Sequence, residues 1–264
     1  VTTLFDFISL VASYLRMNFF ARLEYRGAFF FQVMGMFIND GVWLAFWVYF
    51  FTRFPILNGW RATDIITLWT IGAAGFGLAH TVAGNGWLLP KIIVNGELDA
   101  WMLYPRALLS HILIGKMSPT AFGDALFGYV VYVAFVKPDL VHFAMFVLLT
   151  LSIAVLWMGF SVLTGSLTFY VGNGDALSAH WRGAMINFST YPMPLFHGFT
   201  KLLLLTIIPA GFVNYFPVMA LRNLSLVDLG ITFAGSCAVL VIGTCVFYHG
   251  LNKYESGNLM EMRG

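Results

Sequence analysis

Three charged side chains stand inside long apolar runs of this sequence. They are Asp40, between Asn39 and Gly41, and the pair Lys116 and Asp124, with Pro119 between them. Placing such groups in hydrocarbon is costly, so they mark polar seams, ion routes or countercharges for a ligand. Lys116 and Asp124 are about two helical turns apart, which sets them on one broad face without letting them touch. Asn39, Asp40, Lys116 and Asp124 therefore form the candidate intramembrane polar pathway. The competing reading is structural: Lys116 reaches the interface along its aliphatic stem, and the aspartates pair with nearby hydroxyls and amides. A proton relay would need more carboxylates than these.

Other chemistry is missing. A phosphate-cradling loop needs GxxxxGK[ST], but Gly115-Lys116 is followed by Met117 and has Ser110 where the first glycine belongs. There is no HExxH zinc pair and no GxSxG nucleophile elbow. The histidines (His80, His111, His142, His180, His197, His249) lack metal-ligand spacing and read as packing or interfacial residues. Cys237 and Cys245 lie in one apolar stretch and read as buried small apolar side chains. No catalytic residue and no metal set emerges, and no cofactor is expected in the chain itself.

The elements that must position the charges follow from composition. The chain has 264 residues, 59% hydrophobic and 10% charged, against roughly 25% charged in soluble domains. Its 14 Lys and Arg against 12 Asp and Glu leave a net charge of +2. That balance excludes a soluble enzyme, a disordered chain and a nucleic-acid binder. The runs are continuous instead of alternating, which points to helices and not a barrel. The fold class is all-α: a polytopic membrane protein with six spans, at about 28–51, 64–85, 107–135, 141–171, 199–216 and 228–249. Segment 172–199 reads as a cytoplasmic loop followed by an interfacial helix.

Ahead of the first span, Phe7, Leu10, Val11, Tyr14, Leu15, Phe19 and Leu23 recur at helical spacing, interrupted by Arg16, Arg22 and Arg26. This is an amphipathic helix lying in the interface, with its cations at the headgroups. With the N-terminus inside, the inner segments hold Arg16, Arg22, Arg26, Lys91, Arg106, Arg182, Lys201, Lys253 and Arg263. The outer loops hold only Arg53, Arg61, Lys137 and Arg222. The excess places both termini in the cytoplasm. One membrane domain, 1–264, accounts for the chain, with an interfacial helix at 1–27, a cytoplasmic loop at 86–106 and a tail at 250–264.

That loop is the most structured part of the sequence. Pro90 can open a helical segment and Asn95-Gly96 can break it. Glu97 and Asp99 then fall near a helix start, where anions suit the dipole. Trp101, Leu103 and Tyr104 supply an apolar face and Pro105 ends the segment. A compact amphipathic element of this kind suits docking into a groove of another protein.

The stretch NGELDAWMLYPR resembles the G-x-LD-x-x-L-x-x-P stretch of ABC-2-type transporter permeases. More narrowly, the chain is similar to a bacterial six-span subfamily of about its own length. "LEYRGAFFFQ", Asn39-Asp40 and "IIPAGFVNYFP" support the resemblance. The resemblance implies a permease that mostly exports, sits in the bacterial inner membrane, and works as a homodimer or as a related heterodimer with a second permease subunit. A cytoplasmic ABC ATPase dimer would bind ATP and Mg in trans. It implies that Asn95, Gly96, Glu97, Leu98, Asp99 and Pro105 form the ATPase-coupling interface. It also implies that the N-terminal helix is the family's connecting helix, and that a broken or re-entrant element stands between spans five and six, where Pro209, Pro217 and Asn214-Tyr215 favour a discontinuity.

The leading expectation is thus the permease subunit of an ATP-driven exporter of a hydrophobic or amphiphilic substrate, not itself an enzyme. A lipophilic drug or organic cation is the favoured cargo, with Asp40 or Asp124 as countercharge. The alternatives are an ion- or proton-coupled secondary transporter, which would call for inverted repeats and several midplane carboxylates, and a non-transporting membrane anchor for an ATPase. An intramembrane enzyme lacks its motifs.

Overall fold

The computed structural model of the chain describes residues 4–105, 107–172 and 174–254. Among them the chain is helical throughout, apart from turns and one isolated bridge between Leu57 and Trp60. Arg106, Arg263, Asn173 and most of the 250–264 tail lie outside the described residues.

Helix α1 (Leu4–Leu23) leads into α2 (Arg26–Arg53) and α3 (Ala62–Val82). A 3-10 turn (Gly84–Trp87) then opens a run of short helices: α4 (Leu89–Val94), α5 (Leu98–Met102) and α6 (Leu108–Ile114). Next come α7 (Pro119–Val131), which runs on into a π-helical turn, α8 (Leu140–Ser166), α9 (Thr168–Val171) and α10 (Asp175–Ser189). The chain closes with α11 (Gly198–Thr206), α12 (Gly211–Asn223) and α13 (Leu226–Leu251). Five units are long and apolar enough to cross a bilayer: α2, α3, α7 with its π-turn, α8 with α9, and α13. Helices α3 and α8 are mostly buried at the centre, around Ile71, Phe146, Leu149, Ile153 and Trp157, while α2 and α13 lie outside them.

The bundle has two distinguishable ends. Residues 84–105 and 107–118, Tyr14 of α1 and Tyr254 gather at one, the loop end; the 54–61 turn and the Lys137-Pro138-Asp139 turn mark the far end. At the latter turn Asp139 caps α8, accepting a 2.8 Å bond from the His142 backbone N–H, and a second from its ring. These bonds hold the Asp139 carboxyl below its ordinary range.

Two expected spans are different in the structure. The third is interrupted: α6 stops at Ile114, and the chain crosses 115–118 without helix before α7. Pro119 explains the break, because its ring disfavours helical geometry at Ser118. The Ser118 N–H bonds instead to the His80 carbonyl, at 3.0 Å.

Between α8 and α13 the chain returns to the far end not through 199–216 but through α10, a 15-residue helix, shorter than a usual span, in the segment read from sequence as a cytoplasmic loop followed by an interfacial helix. It begins at the loop end, where Asp175 pairs with Lys91 at 3.8 Å. It leads to the far end, where Pro194 accepts a 3.1 Å bond from Asn58. Helices α11 and α12, bent by 91°, both start and finish at the far end, since Arg222 bonds to Gly59 and lies 3.6 Å from Asp64. They form a re-entrant hairpin. Its apex is near Pro209, and Asn214 on α12 ties it to α10 through the carbonyls of Phe188 and Tyr191. Lys201 therefore moves to the far end and Arg182 into the bundle. The cysteines also differ from expectation: Cys237 and Cys245 are unpaired and exposed on α13.

Candidate functional site

On α2, Met36, Asp40, Trp43 and Trp47 fall on one helical stripe by their spacing. That stripe, with Trp69 and Phe76 of α3, Asp124 of α7, Trp157 of α8, and Ser189 and Tyr191 at the end of α10, surrounds a cavity of about 290 Å³. Its exposed lining residues, Asn39, Trp43, Phe46, Asn187 and Tyr191, place the mouth between α2 and α10.

Asp40 and Asp124 meet at the back, within hydrogen-bonding reach of one another and with Asn39 beside Asp40. Gly123 makes the meeting possible. A Cβ there would stand 2.5 Å from the Val33 carbonyl oxygen, so any side chain would push α7 off α2. The two carboxyls are 7% and 4% exposed, and one oxygen of each finds no partner. The indole N–H groups of Trp69 and Trp157 and the Ser189 hydroxyl are likewise buried and unpartnered. Among the described residues no Lys or Arg lines the cavity. The walls are rings: Trp43 lies nearly parallel to Trp69 at 6.3 Å, and Trp47 meets Tyr191 edge-on at 5.8 Å.

A layer of rings closes the cavity towards the loop end. Phe76 packs at 4.2 Å on His80 and at 5.1 Å on Trp157, and His80 at 5.4 Å on Trp87. The Arg182 guanidinium lies 4.8 Å from the Trp87 ring centre, a cation–π contact. Arg182 is 3% exposed, and its Nε and one Nη find no partner. Trp87 ends the 3-10 turn that leads into α4, so this layer joins the cavity to the short helices of the loop end.

There, α4 ends in a tight corner. Gly96 takes φ +73°, the Glu97 N–H bonds back to Ile92, and the Gly96 N–H bonds to Ile93. This is a Schellman cap, which needs a left-handed residue at the glycine position. Leu98 is fully buried with Leu89, Ile92, Ile112, Val162 and Phe247. Asn95 donates to Glu97 at 3.2 Å. Val94, Asn95, Glu97, Met102, Leu103, Tyr104 and Pro105 face outward. Helix α1 joins the same end: Tyr14 bonds to His111, whose ring also packs edge-on against Trp101 and Tyr104. Behind it, burial and the neighbouring Asp99 carboxylate push the Tyr254 phenol up to about 12.

Of the residues singled out in the sequence, Asn39, Asp40 and Asp124 come together. Lys116 does not join them: it is exposed in the break before α7, beside Asn85, Lys91, Glu97 and Trp101. Asn95, Gly96, Glu97, Leu98, Asp99 and Pro105 form one compact corner, with Leu98 turned inward. Arg16 and Arg26 are exposed and Arg22 half-buried along α1 and the start of α2. Sequence reading missed the aromatic walls, although Trp43 and Trp47 follow Asp40 at helical spacing. It also missed the role of Arg182, which falls in the segment read as a cytoplasmic loop followed by an interfacial helix.

The family profile described as ABC-2 family transporter protein matches residues 37–257. No curated protein and no solved structure matches the chain.

Proposed function

The chain belongs to the ABC-2 family of transporter proteins, and from that premise we propose that it is the membrane-spanning permease subunit of an ATP-driven exporter. ATP and Mg are handled by a cytoplasmic ABC ATPase dimer supplied in trans, in keeping with a sequence that has no phosphate-cradling loop. The chain is multi-pass, and in this reading it sits in a bacterial inner membrane with both termini and the loop end in the cytoplasm.

The observation that carries the reading is the 84–105 corner. Its inner face is locked into the bundle by Leu98 and its neighbours, and its outer face offers Glu97, Met102, Leu103 and Tyr104. An element fixed on one side and bare on the other can take up a push from an ATPase cleft and pass it inward without absorbing it. The route inward is the ring layer, since Trp87 is covalently close to α4 and touches His80 and Arg182. Closure of the ATPase dimer would shift the corner, part the layer and change which end of the cavity is open. Helix α1, bonded to His111, would move with it.

A second permease subunit, the same chain or a related one, fits the side where the mouth lies. There α10 exposes His180 and Asn187, with the half-buried Gly183 between them, polar or small positions that suit a helix partner or a water-filled path better than lipid. The substrate is hydrophobic or amphiphilic, matching the aromatic walls.

Affinity purification in mild detergent from the native host, followed by mass spectrometry, tests the proposal. Co-purification of a soluble protein carrying a Walker A loop is the expected result, with a second six-span chain in the same peak if the pair is mixed. A chain that comes down alone as a homogeneous oligomer would sink the ATP-driven reading and bring forward an ion-coupled carrier.

A further inference from the structure

The cavity contains more unsatisfied polar chemistry than a packed core tolerates, because buried polar groups are almost always hydrogen-bonded. Two carboxyls share its back wall, each at least nine-tenths buried and each with an unpartnered oxygen. Three further groups on its walls are also unpartnered: two indole N–H groups and the Ser189 hydroxyl. The remaining surface is aromatic. Paired carboxyls with no basic side chain among the described lining residues attract one positive charge. Indole faces attract the same charge, most strongly where water is excluded. The ring walls refuse a hydrated metal ion, which would have to keep its oxygen ligands.

We propose that this cavity binds hydrophobic organic monocations, with Asp40 and Asp124 as the countercharge and Trp43 and Trp69 as the faces on which the cation rests. The mouth between α2 and α10 admits the ligand from the side of the bundle, and the Arg182–Trp87–His80 layer stops it from passing to the loop end. The volume of about 290 Å³ is at the lower edge of small-molecule sites, which start at roughly 300 Å³. It fits a few rings around one charge. This inference deepens the permease reading by naming the substrate class, and it rests on that reading only for the claim that the bound cation is cargo.

The test uses the full chain in lipid nanodiscs without any ATPase, so its outcome is separate from that of the co-purification. Tetraphenylphosphonium and tetraphenylborate have nearly the same shape and opposite charge, and their binding is measured against empty nanodiscs. The expected result is saturable binding of the cation, at least about tenfold tighter than that of the anion, lost about tenfold or more in Asp40→Asn/Asp124→Asn. Should that double variant fail to fold, Trp43→Leu serves instead. Trp43 is half exposed, so its loss spares the core, and the expected weakening is about three- to tenfold. Equal binding of the two probes, no saturable binding, or cation binding unchanged in a folded variant would overturn the proposal.

Discussion

The cavity and the loop-end corner are built on opposite plans. In the corner Asn95 bonds to Glu97, Gly96 and Glu97 close a Schellman cap, and Leu98 is sealed among apolar neighbours. In the cavity, walled by α2, α3, α7, α8 and the end of α10, carboxyl oxygens, indole N–H groups and a hydroxyl wait without partners. A satisfied element is stiff and can transmit force; an unsatisfied one holds binding capacity in reserve. The difference separates two jobs within one chain, and each can be broken without the other.

The largest effect is expected from Glu97→Lys. Glu97 is exposed and supports no core contact, so the membrane domain stays folded and the cavity keeps its cation affinity. Association with the ATPase should fall by roughly 2–5 kcal/mol, as for a charge reversed in an interface, read as loss from the affinity-purified complex. Retained association and transport would remove the corner from the coupling interface. Leu98→Ala comes next. Emptying a fully buried leucine costs about 3 kcal/mol, and hydrogen exchange should show 89–102 loosening while α2 and α7 stay protected. If both regions loosen together, they are one cooperative unit and the contrast fails.

The cavity has its own lever in Gly123→Leu. Forcing a side chain between α7 and the Val33 carbonyl parts the two carboxyls and costs about 1–3 kcal/mol in overpacking. Thermal stability should drop accordingly and tetraphenylphosphonium binding should vanish, with exchange at 89–102 unchanged. The smallest effect concerns Tyr254. Its phenol is pushed from 10.0 up to about 12, so the packed Tyr254 holds its proton more tightly than a free one. The docking contribution is complete below about pH 10 and is lost as pH rises through about 12. Tyr254→Phe should abolish that alkaline loosening, followed by hydrogen exchange at 247–254 across the window; an identical profile in the variant would show that Tyr254 is not its source.

Much of this was legible in the sequence, for physical reasons that also explain the failures. Helices α2, α3, α8 and α13 are continuous apolar runs, and hydropathy reads such runs well because lipid imposes them. The α4–α5 corner was legible because proline and glycine act locally, at Pro90 and Gly96. Helix α10 was not. It turns Ser178, Arg182, Met185 and Ser189 into the bundle and leaves His180 and Asn187 on its open side, so neither face is uniformly apolar. The run from Phe199 to Phe216 is apolar enough to look like a span, but composition does not record that it bends by 91° and returns. Asp40 and Asp124 were each conspicuous alone. Their meeting depends on Gly123, whose small size matters only once α2 is beside it.

Arg182 gives the bundle an electrical slope. A fixed positive charge buried on one side of an acidic pair, with low-dielectric rings around it, tilts the potential along the axis. A cation leaving the carboxyls loses their attraction in either direction, and towards the loop end it also meets the repulsion of Arg182. For the cation proposed above, passage past Arg182 would be opposed by charge as well as by packing.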